Sequence, residues 1–259
     1  MGNLRRVTAA AADERPHRAS SDPDWVESWL FDAVHHDGSY ALSIEFLLWP
    51  QHKRVAYLVS LVQPEHDLIT LVELAAPAPK PPGIEVRSPG LWTDIGIQTP
   101  LEHMTVDIEA FAVALDDPND VFRGAYGVRT ALGCELEWET AADVQAGPSP
   151  NSYEIPCIVH GELLIDELTI EIDGWGWRSH RWGRPTTHDR AVTRGRTATG
   201  EWFNDADEGR AATMRVIGTA PTPAPELDTQ LTQFFAANDA GDMAWIRRIE
   251  TYLDADGVA

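Results

Sequence analysis

Cysteine is scarce: only Cys134 and Cys157 occur in 259 residues. One bridge cannot staple a chain of this length, so a disulfide-built secreted scaffold is excluded and two buried, reduced thiols are expected. No apolar run approaches the ~18 residues of a membrane-crossing helix. Positive charge is also short, with 20 Lys and Arg against 41 Asp and Glu and a net charge of −21. Such a field repels phosphate backbones and anionic lipid, which argues against nucleic acid and membrane insertion. Several catalytic signatures are missing too. There is no Gly-x-Ser-x-Gly elbow, and Gly174-x-Gly176 lacks the third glycine and the following helix of a dinucleotide site. His180, His188 and Asp189, or His35 and His36, have no recognised ligand spacing, so no metal and no cofactor are expected. The first twenty residues contain no apolar stretch of a signal peptide and are interrupted by Pro16. They read as a disordered leader (residues 1–21) of a cytoplasmic protein.

What the chain does have is apolar material in a two-residue period. Hydrophobic residues make up 43%, and ten tryptophans stand against five tyrosines. Leu132, Cys134, Leu136 and Trp138 alternate with Gly133, Glu135, Glu137 and Glu139, the pattern of a strand with one dry face. Val106, Ile108 and Ala110 behave alike, as do Leu168, Ile170 and Ile172. Turn signals at Asp37-Gly38, Pro81-Pro82-Gly83, Pro89-Gly90 and Asp116-Asp117-Pro118 punctuate such runs, predicting a mainly β protein of sandwiches or barrels. The polar stretch around Gly147-Pro148-Ser149-Pro150 predicts a division into β domains at 22–145 and 146–225. After the Ala220–Pro225 linker the period changes. Leu227, Leu231, Phe234 and Phe235, then Trp245, Ile246, Ile249 and Tyr252, follow helical spacing and predict C-terminal helices over 226–259.

The most distinctive stretch is Gly174-Trp-Gly-Trp-Arg-Ser-His-Arg-Trp-Gly-Arg-Pro185. It resembles the signature of the lipocalin-like superfamily of carotenoid hydratases, fungal decalin Diels–Alderases and AttH-like proteins, in which a Gly-x-Gly strand leads into Arg-Asp-His-x-Trp-Gly. Gly90-Leu91-Trp92 and Thr99 to His103 resemble an uncharacterised bacterial branch of it. The resemblance covers about residues 25–218. It implies two lipocalin- or calycin-like β-barrel domains around a hydrophobic cavity, with no organic cofactor. Ser179 stands where the family usually has Asp, so that support for His180 is either absent or comes from elsewhere, with Glu102 as the candidate. Carotenoid hydratases add an aromatic-x-Asp pair further along, which Phe203-Asn204-Asp205 matches here with Phe in place of Tyr.

The residues support the same reading independently. His180 and Trp182 are two apart and share one strand face. An imidazole beside an indole in an apolar barrel offers proton transfer next to a π face that stabilises a developing cation. His180, Trp182 and Asp205 are therefore the catalytic candidates, with Trp92, Glu102, His103, Trp175, Trp177 and Arg178 lining the pocket. Trp175, Trp177 and Trp182 read equally as inter-domain core, Asp205 as a solvated acid and His180 as a satisfied core histidine. Two functions follow. One is a cofactor-independent hydratase, isomerase or cyclase acting on a terpenoid, steroid or polyketide-like molecule; the other is a non-catalytic carrier of an apolar ligand. The expected partner is an apolar small molecule, with a homodimer left open. A buried acid within hydrogen-bond reach of His180 favours the enzyme.

Overall fold

A computed structural model of the chain describes residues 9–124, 126–186, 192–205 and 209–250. Among the described residues seventeen strands run in chain order: β1 (Val26–His35), β2 (Ala41–Trp49), β3 (Arg54–Val62), β4 (Leu68–Pro77), β5 (Glu85–Ser88), β6 (Leu91–Thr99), β7 (His103–Leu115), β8 (Val128–Thr140), β9 (Gln145–Ala146), β10 (Ser152–Ile165), β11 (Leu168–Gly183), β12 (Val192–Arg196), β13 (Trp202–Asp205), β14 (Arg215–Thr219), β15 (Thr222–Ala224), β16 (Thr229–Ala237) and β17 (Met243–Glu250).

Strands β1, β2, β3, β4, β7, β8, β10 and β11 pair antiparallel with their neighbours in chain order, and β1 closes on β11. This is an up-and-down barrel. Its seam between β4 and β7 is short, joining Leu68–Thr70 to Val113–Leu115, and β5 and β6 continue the sheet alongside β7. The short β9 pairs with the start of β10, and β12 to β17 form an open sheet in the order β13-β12-β17-β16-β14, with β15 on β16.

These pairings correct three expectations. The sheet runs through the expected boundary at 145/146, because β10 and β11 hydrogen-bond to β8 and β1. One closed barrel and one open sheet therefore replace two barrels. The expected C-terminal helices are strands as far as residue 250: the apolar pairs Phe234-Phe235 and Trp245-Ile246 send one side chain to each face of the open sheet. A strand buried on both faces mimics helical spacing. Residues 251–259 lie outside the described ones. The leader is ordered from residue 9, with a 3-10 turn over Ala11–Glu14 and Glu14 fully buried.

The barrel interior holds Trp29, Phe31, Ile44, Phe46, Tyr57, Met104, Val106, Trp138 and Ile155. Tyr57 accepts a hydrogen bond from Thr93 (2.9 Å), and Trp138 donates to the Asp32 carbonyl (2.9 Å), so these polar tips are satisfied. A void lined by Ala33, Tyr40, Leu42, Leu61, Leu136 and Ile172 measures only about 10 Å³. The outer face of β1, β2 and β11 packs against the open sheet through Val34, Ala41, Trp175, Trp177, Phe235 and Trp245. Ion pairs cross this interface. Arg247 grips Asp32, and Arg194 grips Glu154, which Asn204 also contacts. Gly174 and Gly176 serve strand pairing here, since a Cβ on either would strike the Val34 or Asp32 carbonyl of β1.

Candidate functional site

Along the end of β11, Arg178, His180 and Trp182 point one way and Trp177, Ser179 and Arg181 the other. The register sets His180 opposite Trp29 on one side and Tyr153 on the other. Glu27 lies two residues before Trp29, on the same inner face. His180 is buried, and its Nε2 lies 2.9 Å from Glu27 Oε1 while its Nδ1 lies 3.3 Å from the Tyr153 hydroxyl. Its ring stacks on Trp29 at 4.2 Å between centroids.

The leader completes the cluster. The Tyr153 hydroxyl donates to Glu14 Oε1 (2.5 Å), which also accepts from Arg178 Nη1 (2.6 Å). His17 Nδ1 lies 2.7 Å from Glu27 Oε1, its backbone N–H donates to both oxygens of Glu27 (2.9 and 3.0 Å), and its ring stacks on Trp182 at 3.8 Å. A continuous chain thus runs Glu14–Tyr153–His180–Glu27–His17, and His17 is partly open to solvent, with 21% of its side chain exposed.

Counting protons along this chain shows what it can do. With ionised carboxylates and neutral imidazoles, Tyr153, His180 and His17 supply one proton each, and four junctions need filling. The tyrosine gives its proton to Glu14 and His180 gives one to Glu27, leaving the Tyr153–His180 junction without a hydrogen. That junction is the longest of the four, at 3.3 Å. The chain therefore takes up one more proton without rearrangement. Burial pulls the His180 pKa below its usual 6.5, partly offset by Glu27. Burial opposes ionisation of Glu27 as well, but the hydrogen bonds from His17 and His180 outweigh it and hold its carboxyl below 4.5. Burial, and then the Glu14 carboxylate, raises Tyr153 far above the ordinary phenol value. At neutral pH the centre is a neutral imidazole between a carboxylate and a phenol, flanked by indole faces.

Residues 10–196 match a family model described as a domain of unknown function, DUF7064. The chain belongs to that family. The DUF7064 match takes in the leader from residue 10, the whole barrel and β12, and stops before the rest of the open sheet. No curated protein matches the chain. Similar solved structures include CghA, alone and with Sch210972, each at 12% identity and a TM-score of 0.36, covering 88% of this chain and 59% of that one. Kievitone hydratase from Nectria haematococca is similar at 10% identity and a TM-score of 0.40, over 90% and 68% of the two chains. The chain thus spans under two thirds of the length of CghA.

Within the DUF7064 domain, His180, Trp182 and Arg178 come together. The acid beside His180 is Glu27, not Glu102, which is exposed on the turn before β7. His103 is half-buried on the outer face, 2.9 Å from Glu137. Trp175 and Trp177 are buried between barrel and open sheet, each edge-on to Trp202, so they are interface core instead of ligand wall. The backbone of Asp205, the last residue of β13, pairs with Thr193 on β12, and its side chain lies outside the described residues. Trp92 is remote from His180. It donates to Glu85 (3.0 Å) and lines an open groove of about 610 Å³ with Leu91, Phe111, Leu132 and Leu164. Leu164 is at the far end of β10 from Tyr153, roughly 36 Å along the strand.

Glu27, Tyr153, Glu14 and His17 were not indicated by any motif. A usable signal existed for Glu27, an acid in phase with Trp29, Phe31 and Ala33 on an otherwise apolar strand face. Among the described residues three groups could offer metal ligands: His17/Glu27/His180, His35/His36/Asp37 and His103/Glu137/Glu139. In the first, both imidazoles reach one Glu27 oxygen at 2.7 and 2.9 Å. That is hydrogen-bond spacing, closer than the ~3.3 Å between neighbouring donors around a tetrahedral ion with bonds near 2.0 Å.

Proposed function

We propose that the protein catalyses cofactor-independent proton transfer to or from an apolar small molecule, as a hydratase, isomerase or cyclase. The observation that carries this reading is His180, held between the Glu27 carboxylate and the Tyr153 hydroxyl inside an apolar barrel. A buried acid orients the imidazole, the phenol links it to a second carboxylate, and Trp29 and Trp182 supply π faces for a developing cation. The signature around His180 suggests a terpenoid, steroid or polyketide-like alkene as substrate. Two free buried thiols support a reducing compartment such as the cytoplasm.

The test is hydrogen exchange or hydration of a panel of such alkenes in D₂O, followed by mass spectrometry. His180→Ala is expected to lower turnover by roughly 10²–10⁴-fold, the usual general acid–base contribution, with little change in affinity. A folded His180→Ala protein that works at the wild-type rate overturns the reading. The carrier alternative is favoured by a separate observation, the open groove beside Trp92, and predicts that ligand binding responds to Trp92→Ala and not to His180→Ala.

A further inference from the structure

Arg178 is a buried guanidinium within an apolar barrel, next to Met104 and in contact with Thr140 (Nη2 to Oγ1, 3.4 Å). Its counter-charge is Glu14, which belongs to the leader and not to the barrel wall. The fit between them is incomplete. Glu14 uses one oxygen twice, for Tyr153 and for Arg178, while its other oxygen is buried without a partner. Arg178 Nε is likewise buried without a partner. A guanidinium fork is shaped for two carboxylate oxygens at once, and a carboxylate tethered to a backbone turn presents only one here.

We propose that Arg178 and Tyr153 form a binding site for the carboxylate of an amphipathic acid ligand, and that Glu14 occupies it as an internal surrogate. The ligand exchanges with the segment around Glu14, a single 3-10 turn followed by the His17 contact to Glu27. The exchange replaces one carboxylate by another, so the charge around Arg178 is unchanged despite the acidity of the chain. Tyr153 donates to Glu14 and lies 3.3 Å from His180 Nδ1, so a single phenol separates the bound carboxylate from the imidazole. The apolar body would then fill the space vacated beside Trp182. This names the substrate class of the site proposed above and rests on that reading. The tests measure binding and not turnover, so each idea can fail without the other.

Full-length Glu14→Ala is compared with wild type using acetate, dodecanoate and dodecan-1-ol, at ionic strength held constant with chloride. Acetate is expected to raise the melting temperature of Glu14→Ala, and not that of wild type or of Glu14→Ala/Arg178→Met. Dodecanoate should bind Glu14→Ala roughly tenfold or more tightly than wild type, the penalty set by a competitor that fills the site nine times in ten. Dodecan-1-ol should show no such difference. In wild type, saturating dodecanoate should speed amide exchange at Asp13, Arg15 and His17, a readout that remains if Glu14→Ala does not fold. Indifference to acetate, equal binding of acid and alcohol, no binding of dodecanoate at all, or unchanged exchange at those amides would each overturn the proposal.

Discussion

Replacing Arg247 by Met should expose how the open sheet is fastened to the barrel. Arg247 on β17 reaches both Asp32 oxygens on β1, Ser43 on β2 (2.9 Å) and Gln233 on β16 (2.6 Å), with arginine and aspartate both buried. Methionine conserves most of the volume and leaves Asp32 as an uncompensated charge with Ser43 beside it. Breaking a buried pair in this way costs about 3–5 kcal/mol. For a chain of this size that corresponds to a fall of roughly 6–20 °C in Tm. Removing both charges with Asp32→Leu/Arg247→Met should recover most of the loss, since an apolar pair of similar volume is about neutral. Urea unfolding followed by tryptophan fluorescence suits the purpose, because Trp177 and Trp245 sit in this interface. A single variant that loses less than about 1 kcal/mol, or a double variant as weak as the single, would refute the charge-burial reasoning.

Acid should weaken the fold in two stages. The folded pKa of His180 lies below 6.5, so the unfolded chain takes the proton first, and stability contributed by neutral His180 is lost as pH falls below 6.5. Glu27 adds a second loss below 4.5; in denaturation curves taken from about pH 8 to pH 3, His180→Asn should remove the first stage and shrink the second, since His180 is one of the groups that hold Glu27 down. Trp177→Ala should cost about 3–5 kcal/mol in urea unfolding without a specific defect in ligand binding, because it empties the interface and not the barrel. Cys157, buried and with its thiol pushed up to about 12, should resist a thiol-titrating disulfide reagent until the protein unfolds; prompt labelling of the native protein would contradict its placement.

The barrel was legible where one face of a strand is dry and the other wet. Leu132, Cys134, Leu136 and Trp138 on β8 all prove buried, and the alternation announced it. Strands β1 and β2 are buried on both faces, by the barrel core and by the open sheet, so no polar row marked them. The same double burial disguised β16 and β17 as helices. The site was half legible. The stretch around His180 stood out, and Arg178, His180 and Trp182 do converge. Glu27 and Tyr153 reach His180 only through strand register, 153 and 27 residues away, and spacing within one strand carries no record of that. Glu14 and His17 were hidden by composition, since a polar, alanine-rich leader resembles an unfolded one.

The pairing of β1 with β11 also bears on how the chain is made. On the ribosome, β1 emerges early, but its second neighbour follows almost 150 residues later. At 5–20 residues per second that is a wait of roughly 7–30 s, during which an apolar strand edge stands open. Every hairpin from β2 to β8 can form locally in the meantime, yet none of them can cover that edge. The barrel's last hydrogen bonds are thus also its most distant in sequence, which favours slow closure and makes the half-made chain prone to edge-to-edge association. Holding chaperones, or cooler and slower expression, should therefore govern how much folded protein a cell yields.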